Sequence, residues 1–555
     1  MKQDINGQGT HLPIVHLAFQ IFAPWRIDPM KICVIGAGPS GLCAAKEIKE
    51  SNPGATVTIL DEASTIGGAF SKSYKGLTLV NNPLLISFSD FLAEECIDDL
   101  RMWTAEEYVS YLERYVKYNG LSECIRLRSR VTNVTLVNSE WQVTFSNDTG
   151  SQNQSFDYIV ICSGANGKPS LPTFENQHRF LGRIVHSDDV KDSQELAGLR
   201  VVFVGMGESG SDLCYMSSTI SARSIVSIRR RPGYLIPRYH DGRPTDLDTS
   251  RIYHCLPKDI NESCLSLFLK FKRKIERNSI CSREDVAIQD RADRLNSKLF
   301  GTDNLGPFRR TTTKSCGFIR AHLAGAVEIR PEIVDLDGNQ VHFSDGSIEL
   351  ADIIVCCTGY KSRLEFLPTE IRDRILSSNS LYAYMFSPDY IDKLAFVGFV
   401  RPGVGTVPVA AELQSRYLGL FLNGRIPLPS REEMVADIRL QQESARRIFP
   451  ADFDRVGHII DYYSYISKIA HKIGVRPRQW KLFFTDVRLW YKINFSFLCP
   501  GMFRLSGPGA KPGNVKRVLR SLPTMPKSVL LLEGGLYVLC RVLAAIGLRR
   551  FRPLS

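Results

Sequence analysis

The sequence predicts an α/β protein made of two parallel-sheet domains, one inserted into the other, with an α-rich extension at the C-terminal end. Two glycine-rich turns, each between an apolar strand and a helix, carry this prediction, together with two further apolar strands that end in small residues. The chain has 555 residues, of which 44% are hydrophobic. At about 100–200 residues per domain, we expect roughly three folded units with a large buried core.

The first glycine-rich turn follows an apolar strand over Lys31–Ile35 and precedes a helix-like segment. A second strand over Thr56–Leu60 then ends at Asp61. This order of strand, turn, helix, strand and acid is typical of a Rossmann-like dinucleotide-binding unit, in which the acid accepts a hydrogen bond from a ribose hydroxyl. The glycines allow a close approach of the backbone to pyrophosphate, and the helix N-terminus favours phosphate. The turn consists of Gly36-Ala-Gly38-Pro-Ser40-Gly41.

The second glycine-rich turn follows the apolar residues 199–204 and consists of Gly205-Met-Gly207-Glu-Ser209-Gly210. After its helix and a strand at 225–228, the chain continues with Arg229, Arg230 and Arg231, where an NAD-specific site usually has an acid. Arginine suits the 2′-phosphate of NADPH, so we expect NADPH at this turn. A solvated basic turn is the alternative interpretation.

Two further apolar strands end in small-residue turns and divide the chain. They cover residues 158–162 and 353–357, and we interpret each as returning the chain to the first nucleotide domain. The second nucleotide domain is then inserted into the first. The predicted boundaries are 1–29 for an N-terminal extension that need not be ordered, 30–165 and 326–430 for the two parts of the first domain, 166–325 for the second domain, and 431–555 for the C-terminal extension.

The composition limits the partners and the kinds of site. The formal charge is +12, but the basic residues are spread along the chain without a nucleic-acid-binding signature, so we expect anionic cofactors or an anionic membrane surface and no nucleic acid. The 14 cysteines are scattered without a disulfide framework, many of them in apparent core strands, which favours a reducing compartment. They form no Cys-x-x-Cys pair, which excludes the simplest redox-dithiol and zinc sites. We therefore expect a cytoplasmic protein without a metal.

The segment before the second turn resembles the identifying motif of the flavin-containing monooxygenases, which are class B flavoprotein monooxygenases. This segment is Phe180-Leu-Gly182-Arg-Ile-Val-His186. Val190 replaces the terminal aromatic of the motif, which weakens the distinction from Baeyer–Villiger monooxygenases. The resemblance points to the animal-type branch that forms dimethylaniline N-oxide. It also includes Gly67-Gly68-Ala-Phe70, Leu77-Thr78-Leu-Val-Asn81, Ser89-Asp90-Phe91, Thr358-Gly359-Tyr360, Glu412-Leu-Gln414-Ser-Arg416 and Phe503-Arg504-Leu505-Ser506-Gly507-Pro508-Gly509.

The resemblance implies a monooxygenase that binds FAD at the first turn and NADPH at the second. In this family NADPH reduces the flavin, the reduced flavin traps O2 as a C4a-hydroperoxide, and a soft nucleophilic nitrogen or sulfur centre of a small molecule takes one oxygen atom. Two alternatives stay open. One is a Baeyer–Villiger enzyme that acts on ketones, and the other is an NADPH-dependent flavin reductase or dehydrogenase without oxygen insertion.

The resemblance also implies which residues form the site. Asn81 is the first candidate for a catalytic hydrogen-bonding group near the flavin and nicotinamide, and Asn82 is the second because the alignment can slip by one position. His186 lies just before the second nucleotide unit, which favours a structural or positioning role over that of a general base. The expected cofactor-binding residues are Gly36, Gly38, Ser40, Gly41, Asp61, Gly68 and Phe70 for FAD, Gly205, Gly207, Ser209, Gly210, Arg229 and Arg230 for NADPH, and Thr358 and Gly359 after the later apolar strand.

The end of the chain is apolar over residues 529–548 but is interrupted by Glu533 and Arg541. A charge at the centre of a spanning helix costs about 2.5–3.5 kcal/mol, which argues against a membrane span. Residues 536–548, followed by arginines, suit a helix that lies in a membrane interface. This interpretation places the protein at the cytosolic face of the endoplasmic reticulum if it is eukaryotic. A helix packed on the protein itself fits equally well.

Overall fold

The computed structural model describes residues 29–229, 234–240, 242–257, 274–275, 282–300, 309–315, 317–378, 380–548 and 552–553. Most of the N-terminal extension and the expected NADPH ligand Arg230 therefore lie outside the described residues. The strands are β1 (Lys31–Ile35), β2 (Thr56–Leu60), β3 (Ile125–Arg126), β4 (Arg130–Val137), β5 (Glu140–Asn147), β6 (Gly150–Phe156), β7 (Tyr158–Ile161), β8 (Lys168–Pro169), β9 (Arg183–His186), β10 (Arg200–Val204), β11 (Arg223–Ser227), β12 (Tyr234–Pro237), β13 (Tyr239–His240), β14 (Arg243–Pro244), β15 (Thr312–Ser315), β16 (Glu328–Arg330), β17 (Ile333–Asp337), β18 (Gln340–Phe343), β19 (Ile348–Leu350), β20 (Ile353–Cys356), β21 (Tyr360–Lys361), β22 (Leu394–Phe396), β23 (Arg401–Pro402) and β24 (Ile459–Ile460).

The α-helices of the same residues are α1 (Pro39–Ser51), α2 (Pro83–Ile86), α3 (Ala105–Tyr118), α4 (Glu208–Ser217), α5 (Arg251–Cys255), α6 (Arg283–Phe300), α7 (Phe318–Leu323), α8 (Thr369–Ser378), α9 (Val407–Leu422), α10 (Arg431–Ile448), α11 (Tyr462–Lys472), α12 (Gln479–Thr485), α13 (Val487–Phe495), α14 (Pro512–Ser521) and α15 (Lys527–Ala545). From α9 to α15, helices are the main elements of the chain, beside the short strand β24 and several loops, which confirms the α-rich C-terminal extension.

The first sheet is parallel and has the strand order β22-β7-β1-β2-β3. Its central strand β1 is apolar because both faces of the sheet are covered. Ile32 and Val34 pack on the side of α1, whereas Cys33 and Ile35 pack on the side of the antiparallel sheet β4-β5-β6. The glycine turn after β1 therefore lies at the carboxyl edge of the sheet, where open α/β sheets bind nucleotides.

The second sheet repeats this plan with the strand order β9-β20-β10-β11-β16. Each of its strands pairs in parallel with its neighbours. Its central strand β10 leads into the second glycine turn, as β1 leads into the first. The sequence prediction of two Rossmann-like domains is thus confirmed.

One predicted strand assignment is wrong, because Ile353–Cys356 lies in the second sheet. This strand, β20, pairs with β10 and β9, and the hairpin before it packs on the same sheet through Leu336 and Val341. The predicted domain boundary at 326 therefore cuts through the second domain. The strand that returns the chain to the first sheet is β22 (Leu394–Phe396), which lies beside β7.

The insertion of the second domain into the first is confirmed by the path of the chain. The first sheet contains β1, β2, β3 and β7, then the second sheet follows as a block, and β22 completes the first sheet. The two connections pass side by side, because Lys168–Pro169 pairs in antiparallel fashion with Tyr360–Lys361. These two short strands form the link between the domains.

The C-terminal helices pack on the first domain and share its hydrophobic core. Helix α9 lies along α1 so closely that a Cβ on Gly419 would stand 2.9 Å from the carbonyl oxygen of Glu47. Residues as distant in sequence as Ile32 and Leu519 belong to one buried apolar cluster. Among the described residues, no helix combines the length and the apolar character needed to cross a membrane.

Candidate active site

A cleft of about 1130 Å³ opens at the carboxyl edge of the first sheet and extends to the second glycine turn. Both domains contribute to its wall. Residues predicted from the sequence that line it are Gly36, Gly38, Ser40, Asp61, Gly68, Phe70 and Ser209. Residues that the sequence analysis did not single out include Tyr74, Ser163, Arg401 and His458.

The first turn has the geometry that requires glycine. Gly36 has φ +112°, and a Cβ there would lie 2.6 Å from the carbonyl oxygen of Cys162. A Cβ on Gly41 would lie 1.8 Å from the carbonyl oxygen of Gly36, so this glycine lets α1 pack against the turn. A Cβ on Gly38 would instead meet the Gly68 Cα at 3.6 Å. Gly38 therefore leaves open a space at the N-terminus of α1 that suits a phosphate.

The polar groups around the first turn fit a bound dinucleotide. The Asp61 carboxylate accepts hydrogen bonds from the N–H groups of Ala37 at 2.6 Å and Ala63 at 2.8 Å, and it lines the cleft. The buried Ser163 hydroxyl, also in the cleft wall, has no hydrogen-bond partner within the part of the chain that the structure describes. A bound nucleotide would satisfy this hydroxyl. Phe70 contacts Tyr108 edge to face with ring centres 4.8 Å apart.

The second turn has the same construction. Gly205 has φ +101°, and a Cβ there would meet the carbonyl oxygen of Cys357 at 2.8 Å. A Cβ on Gly210 would lie 2.3 Å from the Gly205 carbonyl oxygen. Nothing lies within 4 Å of a Cβ placed on Gly207, so the space before α4 is open. Ser209 in the first turn of α4 lines the same cleft as Gly38.

The remaining expected cofactor ligands lie further from the cleft. Arg229 follows β11, has a half-exposed side chain and stands 3.6 Å from Glu332. The Thr358 hydroxyl donates to the carbonyl oxygen of Ser170 at 2.5 Å, and the Gly359 carbonyl oxygen accepts from the backbone N–H of the same Ser170 at 3.0 Å. Thr358 and Gly359 therefore build the link between the domains and are not among the cleft-lining residues.

His186 is buried at this link and uses both ring nitrogens. Its Nε2 lies 3.0 Å from the carbonyl oxygen of Gly359, and its Nδ1 accepts from the N–H of Asp188 at 3.1 Å. These partners assign the proton to Nε2. The ring also contacts Tyr360 edge to face at 4.9 Å. The structure thus supports the structural role favoured by the sequence.

The two candidate catalytic asparagines are buried beside each other and have different surroundings. Asn82 Oδ1 accepts from the N–H of Leu85 at 3.2 Å and caps the short helix α2. Asn81 Nδ2 lies 3.5 Å from Asp246 Oδ2. Neither residue is among those lining the cleft, although Leu77 of the same segment is.

Two residues of the inserted part of the chain hold the backbone on both sides of Asn81. Asp246 accepts the N–H of Asn82 at 2.7 Å, and the Lys314 ammonium donates to the carbonyl oxygen of Val80 at 2.8 Å. We call Asp246 and Lys314 the interdomain clamp. Sequence reasoning missed both residues, because Asp246 lies in a short 3-10 helix and Lys314 on the short strand β15, and neither element carries a recognisable motif.

A second group of charges joins α4 to the first domain. Arg238 is buried and lies 2.8 Å from Asp212, which also accepts from the Tyr74 hydroxyl at 3.1 Å. Glu208, the first residue of α4, accepts the N–H of Lys314 at 2.9 Å. Burial raises the pKa of Glu208, and the nearby Arg238 opposes that change.

A buried ion network lies beneath α1. Arg504 Nη2 lies 2.8 Å from Glu412 and also pairs with Glu47, while the Lys46 ammonium lies 2.5 Å from Asp90. Burial alone would raise the pKa of Asp90, but Arg504 and Lys46 outweigh it and lower that pKa. The network fixes α1, whose N-terminus faces the cleft, to α9 and to the segment after α13.

The chain has two Rossmann-like domains, one inserted into the other, and each carries a glycine-rich dinucleotide turn. This arrangement around a shared cleft is that of the two-nucleotide flavoproteins. A profile of the flavin-binding monooxygenase-like family matches residues 29–529. The chain belongs to this family, and it is a monooxygenase that uses FAD, NADPH and O2.

Several relatives match almost the whole chain. A 4-hydroxybenzoate brominase (decarboxylating) of Marinomonas mediterranea is 31% identical over 89% of this chain and 93% of its own length. Flavin-containing monooxygenase 3 of Homo sapiens is 26% identical over 90% of this chain and 94% of its own length. These relatives do not favour a flavin reductase without oxygen insertion.

Solved structures share the fold at low sequence identity. The S-allyl-L-cysteine S-oxygenase of Allium sativum aligns with a TM-score of 0.56 and 19% identity, over 92% of this chain and 98% of that chain. A cyclohexanone monooxygenase bound to epsilon-caprolactone aligns with a TM-score of 0.60 and 18% identity, over 80% of this chain and 98% of that chain.

Proposed function

We propose that the protein transfers one oxygen atom of O2 to a soft nucleophilic nitrogen or sulfur centre of a small molecule. The observation that carries this proposal is that the first glycine turn and Ser209 of the second turn line one cleft of about 1130 Å³. A flavin and a nicotinamide whose pyrophosphates lie at these turns would meet in that cleft. FAD, when bound, supplies the redox chemistry with NADPH and O2.

The chain's own residues then bind and orient the two nucleotides. We assign the FAD pyrophosphate to the backbone at Gly38 and the N-terminus of α1, and an FAD ribose hydroxyl to Asp61. The NADPH pyrophosphate belongs at Gly207 and Ser209. Arg229 exchanges Glu332 for the 2′-phosphate of NADPH.

We assign Asn81 to the reacting ends of the nucleotides. Its amide both donates and accepts hydrogen bonds, so it can hold a neutral nicotinamide in one orientation. The cleft wall at Leu77 belongs to the same segment, and the interdomain clamp fixes the peptide groups on both sides of Asn81. Asn82 has a helix-capping role instead, because its side-chain oxygen already bonds the N–H of Leu85.

The test uses purified holoenzyme, NADPH and isotopically labelled O2 with a thioether or a tertiary amine. We expect a sulfoxide or an N-oxide that carries one labelled oxygen, with one NADPH consumed per product. Conversion of a cyclic ketone to a lactone, with neither of the other two substrates oxygenated, would support Baeyer–Villiger chemistry instead. Peroxide as the sole product with every substrate contradicts the proposal.

A second candidate is the oxygenation of a halide ion, followed by halogenation of a phenol. It is supported by two relatives named 4-hydroxybenzoate brominase (decarboxylating), which are 31% and 30% identical to this chain. Bromide is a soft nucleophile, so the same oxygen transfer would give hypobromite. Hypobromite would then brominate the activated ring: bromine takes the place of the carboxylate, which leaves as CO2, and the oxygen leaves as hydroxide. Addition of bromide and 4-hydroxybenzoate to the holoenzyme, NADPH and O2 tests this candidate through the formation of bromophenol.

We also propose that the C-terminal helix α15 binds an anionic membrane surface, at the cytosolic face of the endoplasmic reticulum if the protein is eukaryotic. One face packs on the protein, where the Ser250 hydroxyl donates to Glu533 at 2.5 Å. The opposite face exposes an apolar stripe at helical spacing. The stripe consists of Leu531, Val538, Val542 and Ile546, which are 78%, 59%, 53% and 69% exposed.

Substitution of the stripe tests this proposal better than deletion of the helix, because deletion would uncover Ser250. Leu531→Ser with Val542→Ser should abolish sedimentation with anionic vesicles while flavin content stays unchanged. Leu136→Ser with Val334→Ser, which replaces two exposed apolar residues elsewhere, is the control. Equal sedimentation of the stripe variant and the wild type would contradict the proposal.

A further inference from the structure

Arg401 stands in the wall of the cleft at a place set by two short strands. Strand β23 (Arg401–Pro402) pairs in parallel with β24 (Ile459–Ile460), and the N–H of Arg401 donates to the carbonyl oxygen of His458 at 2.9 Å. This pairing brings a residue that follows β22 together with a residue from the C-terminal extension. Both Arg401 and His458 line the cleft.

The position of Arg401 lies between the two nucleotide turns. Gly398, three positions earlier in the same cleft wall, approaches the first turn so closely that a Cβ would lie 2.2 Å from the Ser40 hydroxyl oxygen. On the other side, the Arg401 charge acts on Glu208, the first residue of α4 at the second turn. Arg401 therefore lies in the cleft wall between the two glycine turns.

The acids around Arg401 bond other groups. Glu208 accepts the N–H of Lys314 at 2.9 Å and lies 3.5 Å from Arg238. Asp452 lies 2.5 Å from Arg455 and accepts the N–H of Thr311 at 2.6 Å. Within the residues that the structure describes, no carboxylate forms an ion pair with Arg401.

Arg401 places a guanidinium cation in this part of the cleft wall. Its side chain is exposed to the cleft, while the protein on its other sides lowers its pKa through burial, against the attraction of Glu208. Arginine still keeps its charge, because its pKa lies far above neutral pH. Burial, with a further contribution from Arg401, lowers the pKa of His458 to about 4, so this imidazole is neutral at pH 7 and adds no second charge.

We propose that Arg401 binds a small monoanion, the carboxylate of an organic substrate or a halide ion, in the reaction cleft. A partly desolvated guanidinium without an ion-pair partner binds such an anion strongly, and its planar donors match a carboxylate in two parallel hydrogen bonds. This inference rests on the proposed function, because it places the anion in the cleft where oxygen transfer would occur. If it holds, the substrate is either an organic molecule with a carboxylate group or a halide ion.

The test measures binding to the holoenzyme separately from turnover. Titration calorimetry uses 4-hydroxybenzoate, its neutral analogue 4-hydroxybenzamide, and sodium bromide as probes, with wild type, Arg401→Gln and Arg401→Lys. We expect Arg401→Gln to weaken binding of an anionic probe on the order of tenfold to a hundredfold, as loss of a charge-assisted hydrogen bond does. Arg401→Lys should restore part of the affinity, and binding of 4-hydroxybenzamide should not change. Arg114→Gln, which removes an exposed charge paired with Glu95, is the control for net charge.

The possible outcomes distinguish a carboxylate from a halide as the bound anion, and both of them from NADPH. Weaker binding of 4-hydroxybenzoate alone identifies a carboxylate as the bound anion, and weaker binding of bromide alone identifies a halide. A rise in the apparent KM for NADPH, with the affinity for both anionic probes unchanged, assigns Arg401 to the coenzyme and overturns the inference. Failure of the wild type to bind either anion also overturns it. If the anions bind through Arg401 but no substrate is oxygenated or halogenated, the proposed function fails, and only the binding of an anion by Arg401 is kept.

Discussion

Gly38 and Gly41 stand three positions apart in the first turn, but an added side chain would meet different surroundings at each. A Cβ on Gly41 would overlap the carbonyl oxygen of Gly36, whereas a Cβ on Gly38 would meet its nearest atom only at 3.6 Å. Gly38 also has an extended backbone, with φ −76° and ψ 179°, which any residue adopts.

We therefore expect Gly38→Val to fold without FAD and Gly41→Val to disrupt the first domain. In the first variant the side chain occupies the space of the pyrophosphate, and in the second it forces the turn away from α1. Visible flavin absorbance and thermal unfolding of the purified variants distinguish the two effects. A Gly38→Val protein with full flavin content would contradict the assignment of FAD to this turn.

A second prediction at this scale separates Asn81 from Asn82. Asn81→Leu should leave flavin content and NADPH oxidation intact but release peroxide in place of oxygenated product. Loss of one oriented hydrogen bond at a reacting centre costs about 2.7–4 kcal/mol, or a hundredfold or more in productive turnover. Asn82→Leu should instead lower the unfolding free energy by about 0.5–2 kcal/mol through loss of the α2 cap.

The ratio of product to NADPH consumed, measured beside urea unfolding, checks both asparagines. Full coupling in Asn81→Leu would remove Asn81 from the mechanism. Loss of coupling in Asn82→Leu, with its stability unchanged, would show that the two assignments are exchanged.

The sequence predicted the turn glycines because their constraint is local. Gly36 has a positive φ, and Gly41 packs against the carbonyl oxygen of Gly36, so glycine is the only residue type that suits either position. A requirement for one residue type can be recognised directly in the sequence. Asp246, Lys314 and Arg401 could not be predicted, because their positions depend on loops and short strands brought together by tertiary packing.

At the scale of elements, three motifs that are distant in the sequence meet beneath α1. In the sequence, each motif resembled a separate feature of the family. The motifs are Ser89-Asp90, Glu412-Leu-Gln414-Ser-Arg416 and Phe503–Gly509. In the structure, the Arg504 Nε donates to the Ser89 hydroxyl at 2.8 Å, and Arg416 donates to the carbonyl oxygen of Phe503 at 3.0 Å. The motifs therefore build the ion network that anchors α1.

We expect Arg504→Met to reduce the unfolding free energy by about 3–5 kcal/mol, because it leaves buried carboxylates without their cation. Lys511→Met is the matched control. Lys511 also pairs with Asp90, at 2.8 Å, but its side chain is 42% exposed, so its removal should cost only about 0–1 kcal/mol. Urea unfolding of both variants measures the difference, and equal losses would show that the buried network does not stabilise α1.

At the scale of the whole molecule, the sequence predicted two nucleotide domains and the insertion of one into the other. The sequence prediction assigned Ile353–Cys356 to the wrong sheet, because β7 and β20 are followed by similar residues. These are Cys162-Ser-Gly164 after β7 and Cys357-Thr-Gly359 after β20. An apolar strand sequence does not show which of two sheets the strand joins. Each of these ends packs on the glycine turn of its own sheet, through the contacts of Gly36 with Cys162 and of Gly205 with Cys357. Such pairings are long-range and depend on the complete fold.

The interdomain clamp predicts how the inserted part of the chain acts on the first domain. Asp246→Ala removes the acceptor of the Asn82 N–H. We expect normal FAD content and continued NADPH oxidation, but a tenfold or greater fall in the amount of product per NADPH consumed. A fall of this size corresponds to the loss of a charged hydrogen bond, which contributes about 1.5–3 kcal/mol. Asp335→Ala, which removes an acid of the second domain bonded to Asn176 at 2.8 Å, is the control. Unchanged coupling in Asp246→Ala would show that the clamp only supports the fold.

The chain returns to the first sheet only at Leu394–Phe396. This late return predicts the order in which the two domains fold. The second sheet is built from residues 183–356 without interruption, whereas the first sheet must wait for a strand more than two hundred residues beyond β7. Closing so long a loop costs entropy before any contact repays it. During synthesis the NADPH domain can thus form while the FAD domain still lacks an edge. In refolding followed by pulsed hydrogen exchange, β10 and β20 should gain protection before β22 and α9. We therefore expect FAD to bind only after the domain inserted into its own has folded.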